Sequence, residues 1–173
     1  MTVKTILTEP NKILRQVSTP VDKVGREEQQ LMDDMLETMY AANGIGLAAI
    51  QIGVPKRIIV MDISKDKSKK EPRYFVNPEI KNKAILKSTY EEGCLSVPNQ
   101  FAEIDRPKKC DVEYLDYNGN KKILKAEGLL ATCIQHEMDH LEGVLFIDYL
   151  SKLKKSMIIK KLSKMKSPRI VVW

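Results

Sequence analysis

Histidine is scarce in this chain. Its 173 residues carry two, His136 and His140, too few for a catalytic metal centre built from imidazoles alone, which takes three protein ligands. Cysteine is scarce as well, limited to Cys94, Cys110 and Cys133. Three thiols with no export signal ahead of them argue against a disulfide framework and point to a reducing compartment, the cytoplasm. Long apolar runs are missing too. The opening "MTVKTILTEPNKILRQ" alternates apolar with polar residues, so neither a signal peptide nor a transit peptide is expected. No stretch approaches the ~20 apolar residues of a membrane span, and no membrane partner is expected.

What is present is the composition of an ordinary globular protein, 43% hydrophobic and 30% charged, in a length that suits one domain spanning 1–173. Lys and Arg exceed Asp and Glu by 29 to 23, a net +6. That excess favours polyanionic partners without requiring one, and no DNA partner is expected.

Residues 26–42, "REEQQLMDDMLETMYAA", place Leu31, Met32, Met35, Leu36 and Met39 on one helical stripe, with Asn43-Gly44 as the stop. β-rich runs follow: "RIIVMDI" from Arg57, "RYFVNP" from Arg73, "AILKSTYEE" from Ala84 and "QFAEIDR" from Gln100, with the charged loop "SKDKSKKEP" exposed between the first two. "CDVEYLDYNGNKKILKAE" reads as a hairpin with Asn118-Gly119 as a tight turn. A second helix covers 128–142, closed by Gly143, a third about 149–165, and "RIVVW" ends the chain as a short strand or tail. The expected fold is α+β: mostly antiparallel strands around a central helix that carries H-E-x-x-H, with an N-terminal and a C-terminal helix.

The central helix carries "QHEMDH". His136 and His140 lie one turn apart, about 6 Å along the axis, so both imidazoles can reach one ion. Glu137 projects close to the same face, where it can act as a general base or acid on a water. Cys133 also falls on this face, but seven residues before His140, about 10 Å along the axis. Ligands of one ion sit roughly 3–4 Å apart, so Cys133 cannot join both histidines and is expected to pack beneath them. Cys110 sits in the alternating pattern "KKCDVEYL" and reads as structural. Cys94, in "YEEGCLSVP", follows a glycine where a strand gives way to a turn, so its side chain can be aimed inward. Elimination favours Cys94, while Glu91 and Glu92 remain open on spacing alone.

Three segments together, "GIGLAAIQIG" (44–53), "EGCLS" (92–96) and "QHEMDHLEG" (135–143), resemble the signature motifs of the peptide deformylases, and the likeness runs over nearly the whole chain. It implies that Cys94, His136 and His140 hold one divalent metal ion, natively Fe²⁺, with Zn²⁺, Ni²⁺ or Co²⁺ able to substitute. It implies hydrolysis of the formamide C–N bond of N-terminal formylmethionine on nascent polypeptides, releasing formate, a step of N-terminal processing in translation. Glu137 would carry the proton from water to the leaving amine, and the Gln51 side-chain amide and the Leu95 backbone N–H would face the oxyanion. The positions that match the methionine pocket and peptide cleft are Gly44, Ile45, Gly46, Tyr90, Glu92, Gly93, Leu129, Thr132 and Cys133, together with His136. Ile45 and Gly46 would offer backbone groups to the extended peptide as to an added strand.

Two positions depart from the family's pattern. Phe101 stands where an arginine often holds the second motif's glutamate, which leaves Glu92 without that partner. Thr132 places a hydroxyl where many relatives carry an aliphatic side chain. Asp139 points away from the metal by helical geometry, with Arg106 as an expected partner that supports the histidine helix from behind. From Ser151 through Arg169 there are eight basic residues and no acidic one, and Leu153, Met157, Ile158 and Leu162 form the docking stripe. Resemblance and charge together suggest contact with the ribosome near the exit tunnel. A zincin-like metalloprotease is the alternative, since it shares H-E-x-x-H, but it usually completes its site with a downstream carboxylate or histidine. A structural metal site would close all four positions with protein groups.

Overall fold

The computed structural model describes residues 2–164. Helix α1 (Arg26–Ala41) presents Met32, Met35 and Met39, all fully buried, along the expected stripe. At its N-terminus the Glu28 carboxylate accepts from the Gly25 N–H at 3.1 Å. At its C-terminus the left-handed residue is Asn43 (φ 57°), and Asn43 and Gly44 donate back to the Tyr40 and Met39 carbonyls. Gly44 is therefore not the left-handed stop. It is small for another reason: a Cβ there would lie 2.6 Å from Leu95 Cδ1.

Strands β1 (Gly46–Ala48), β2 (Ile58–Met61), β3 (Arg73–Lys81), β6 (Lys109–Leu115) and β7 (Lys121–Glu127) form one antiparallel sheet in the order β1-β2-β3-β6-β7, while β4 (Lys87–Cys94) and β5 (Val97–Pro107) pair in a separate hairpin. Period-two alternation on β2 sorts the core. Ile58 and Val60 face the α1 methionines, and Ile59 and Met61 face helix α2 (Gly128–Leu141). The sheet is thus sandwiched between α1 and α2, and α2 also packs on the β4–β5 hairpin. The loop from Asp116 to Asn120 is longer than the expected tight turn. Asp116 accepts from the Asn118 and Asn120 N–H groups, and of the Asn118-Gly119 pair only Gly119 (φ 83°) is left-handed.

The third helix also differs from expectation. A separate 3-10 turn covers Phe146–Tyr149, and α3 (Lys152–Ser163) starts only after Leu150, capped by the Ser151 hydroxyl accepting from Lys154 N–H at 3.2 Å. Its docking face is Ile158, Ile159 and Leu162, whereas Leu153 and Met157 are 72% and 52% exposed. Leu153 lies about 180° round the helix from Leu162 and Met157 about 140°, so two members of the expected stripe meet water. "RIVVW" lies outside the described residues. Among the described residues no helix is long and apolar enough to cross a membrane.

Candidate active site

Helix α2 is the central element, as its pattern suggested. Leu129, Thr132, Cys133, His136 and His140 share one face of it. His136, Glu137 and His140 are buried, with the two imidazole centroids 5.2 Å apart. Cys94 is brought to them by the end of β4, where the ladder slips between Glu92 and Cys94 and a two-residue turn leads into Val97. Its Sγ lies 3.3 Å from His140 Nε2, and one ligand atom from each of Cys94, His136 and His140 falls within 4.8 Å of the others. Of the alternatives left open, Glu92 is engaged elsewhere.

Glu92 is fully buried, and its Oε1 sits 2.9 Å from His136 Nδ1. Arg106 grips both of its oxygens, Nε at 2.7 Å and Nη2 at 3.0 Å, and sends Nη1 to Asp139 at 2.8 Å. Asp139 also accepts from the Tyr149 hydroxyl at 2.7 Å, and the Tyr149 ring lies 5.1 Å from the guanidinium carbon. Burial alone would raise the Glu92 carboxyl, but His136 and Arg106 hold it below its ordinary value, so it stays charged. The expectation that Phe101 leaves Glu92 without a charged partner is therefore corrected. Arg106 takes the role from five positions further along β5, and the Phe101 ring packs on Gly93 instead. With His136 Nδ1 turned to Glu92, the Nε2 edge of the ring faces inward, 3.8 Å from Glu137 Oε1.

Glu137 Oε2 is buried with no hydrogen-bond partner among the described residues. Desolvation pushes its carboxyl up to about 7, and burial drives His140 well below its ordinary value, leaving a neutral imidazole. Gly46 lies against Glu137: a Cβ there would meet Oε1 at 3.0 Å. Gln51 is fixed at both ends of its amide, Oε1 accepting from Ala48 N–H at 2.9 Å and Nε2 donating to the Ser96 hydroxyl at 3.0 Å, with Cys94 Sγ 3.6 Å away. Leu95 is buried beside Cys94, its side chain against Gly44.

The positions expected to line the cleft are less uniformly gathered. Thr132 is buried with its hydroxyl unpartnered among the described residues, Cys133 is part of the core as expected, and Tyr90 and Leu129 are half-buried, with the Tyr90 hydroxyl near Gly128. Ile45 is half-buried, and its carbonyl is taken by Asp62 N–H at 2.8 Å. Ile45 thus bonds towards β2, and by ladder alternation Gly46 turns its backbone groups to the open edge of the sheet. Ser96 and Tyr149 were not singled out in the sequence. Ser96 lies within the "EGCLS" segment, while nothing local marks Tyr149.

The donor set suits a divalent ion: a soft sulfur, two imidazoles, one of them backed by a carboxylate, and a buried acid alongside. The polypeptide deformylase family profile matches residues 3–156. The peptide deformylase of Pelagibacter ubique (strain HTCC1062) is 81% identical over 172 residues, 99% of this chain and 100% of that protein. The peptide deformylase of Rhizobium meliloti (strain 1021) is 55% identical, over 95% of this chain and 94% of that one. Among solved structures, the peptide deformylase of Ehrlichia chaffeensis in complex with actinonin superposes with a TM-score of 0.90 at 46% identity, covering 96% of this chain and 100% of that one.

Proposed function

The chain belongs to the polypeptide deformylase family, and on that premise we propose which of its residues carry the family's reaction. The reaction itself is hydrolysis of the formyl group from N-formylmethionyl nascent peptides, and the metalloprotease alternative is set aside by the family match and the relatives. One domain, residues 1–173, houses the site in this reading.

Cys94, His136 and His140 hold the metal on which the family depends, and the observation that carries this is their meeting within 4.8 Å beside the buried Glu137. Bound there, a divalent ion supplies Lewis acidity that makes water nucleophilic near neutral pH. Glu137 takes the proton of the attacking water on its carboxylate and passes it to the amine nitrogen as the C–N bond breaks, so that water and formamide become formate and a free amino terminus. The Gln51 side-chain amide, its Nε2 bonded to Ser96 and its Oε1 to Ala48 N–H, and the Leu95 N–H donate to the oxyanion. Gly46 receives the peptide backbone at the free edge of β1. Methionine enters between the α2 face of Leu129, Thr132, Cys133 and His136 and the segments bearing Tyr90, Glu92, Gly93, Gly44 and Ile45. Glu92, Arg106 and Asp139 act at one remove by orienting His136 and the helix that carries it.

Fe²⁺ is the proposed native ion, with Zn²⁺, Ni²⁺ or Co²⁺ as substitutes, because thiolate and imidazole donors suit all of them. The proposed setting is cytoplasmic, at the ribosomal exit. Lys152, Lys154, Lys160 and Lys161 on α3 supply the charge for a salt-sensitive RNA contact. The test is formate production from a formyl-Met-Ala peptide by metal-loaded enzyme, beside a non-formylated control. Formate without internal cleavage supports the reading, and cleavage within either peptide would overturn it.

A further inference from the structure

A second cavity, of about 260 Å³, adjoins the glycine segment of the cleft, lined by Tyr40, Gly44, Ile45, Asp62, Lys67 and Lys70 among others. It shares two residues with the cleft, and it is tied to it by the bond from Asp62 N–H to the Ile45 carbonyl. Its floor is built. The buried Asp62 carboxylate accepts from the Tyr40 hydroxyl at 2.5 Å, the Ser64 hydroxyl at 2.6 Å, the Ser64 N–H at 2.9 Å and the Glu71 N–H at 3.0 Å. Those four bonds occupy the acid within the protein. The lysines are engaged differently. Lys70 Nζ rests 4.5 Å from the Tyr40 ring centroid, and among the described residues neither Lys67 nor Lys70 has a carboxylate within 4.0 Å. The cavity is thus edged by two exposed lysines that, among the described residues, have no carboxylate that close.

The direction of the substrate follows from the site. Glu137 lies against Gly46, and Gln51 is fixed to Ala48, so the reacting end sits at the Gly46–Gln51 end of the segment. A peptide leaving it along the free edge of β1 must run towards Ile45 and Gly44. At roughly 3.3 Å per residue its second and third residues pass those positions and reach the cavity. Resting on the deformylase reading, we propose that this cavity reads the residues after formylmethionine and favours chains with an acidic side chain at the second or third position, through Lys67 and Lys70. The pair is solvent-accessible, so the expected bias is modest, about two- to five-fold in kcat/KM at low ionic strength, shrinking as salt rises.

The test uses C-terminally amidated peptides, so that no terminal carboxylate imitates the acid. Formyl-Met-Ala-Xaa and formyl-Met-Xaa-Ala, with Glu, Gln or Lys at Xaa, are compared by formate release on metal-loaded wild type, Lys67→Glu/Lys70→Glu, and a control reversal on the remote hairpin, Lys121→Glu/Lys122→Glu. Each enzyme is referred to its own rate on amidated formyl-Met-Ala, which also reports that the variant is folded. Wild type should prefer Glu to Lys at one of the two positions, and the Lys67/Lys70 reversal should invert that order while the hairpin reversal leaves it in place. Equal Glu, Gln and Lys rates in wild type, or a preference that both reversals change alike, would overturn the proposal. The latter would assign the bias to the chain's net charge. Absence of formate from every peptide with wild type would instead overturn the deformylase reading beneath it.

Discussion

Arg106 closes on both oxygens of Glu92, at 2.7 and 3.0 Å, in the buried layer directly behind His136. The pair joins β5 to β4, and the third arm of the guanidinium reaches Asp139 on α2, so one side chain fixes the hairpin that delivers Cys94 against the helix that delivers both histidines. Removing the arginine leaves a buried carboxylate unpaired. Arg106→Ala should cost about 3–5 kcal/mol of stability, read from urea unfolding, and weaken metal affinity about 10- to 100-fold in a competition with a chelator.

Gly46→Ala places a methyl group about 3 Å from the Glu137 carboxylate. Glu137, the proposed general base, must shift while the proposed metal ligands stay, so kcat should fall by about 100-fold with metal content near that of wild type. Parallel kinetics and metal analysis on the variant check this.

Ser96→Ala removes the hydroxyl that accepts from Gln51 Nε2, while Gln51→Ala removes the donor itself. The loss for Gln51→Ala should be about 100- to 1,000-fold in kcat. The loss for Ser96→Ala should be smaller, because Ala48 still holds the amide oxygen. Single-turnover rates on a formylated peptide rank the two.

Asp148 anchors the turn after α2 through Arg15 at 2.6 Å, Lys155 at 2.7 Å and the Leu145 N–H at 3.1 Å. Burial raises its carboxyl, but these partners outweigh that and hold it below its ordinary 3.8. A depressed carboxyl stabilises the fold above 3.8 and loses that contribution as pH falls through the lower folded value. With the group only partly buried, Asp148→Asn should cost about 1 kcal/mol at pH 7. Its unfolding midpoint should vary less than that of wild type from pH 4 downward, as urea titrations over that range would measure.

Much of this was legible in the sequence where periodicity or spacing speaks. The α1 methionine stripe, the α2 histidines one turn apart and the inward aim of Cys94 each follow from a local pattern. Strand β1 was not legible, because three residues of "GLA" carry no alternation to detect. Nor was the role of Arg106 towards Glu92. Fourteen residues separate them, and only the hairpin's register and the approach of α2 select that arginine. The α3 stripe failed for a different reason. At about 100° per residue Leu153 lies roughly 180° round the helix from Leu162 and Met157 about 140°, so the four apolar residues do not share one face and these two meet water.

The most direct test of the central claim measures bound metal and formate release on the same anaerobically purified samples of wild type, Glu137→Ala and Cys94→Ser. Wild type should carry about one metal ion per chain and release formate from formyl-Met-Ala. Glu137→Ala should keep the ion and release almost none, and Cys94→Ser should lose most of the ion. A Cys94→Ser protein with full metal, or a Glu137→Ala protein with full formate release, would contradict the assignment of ligands and base.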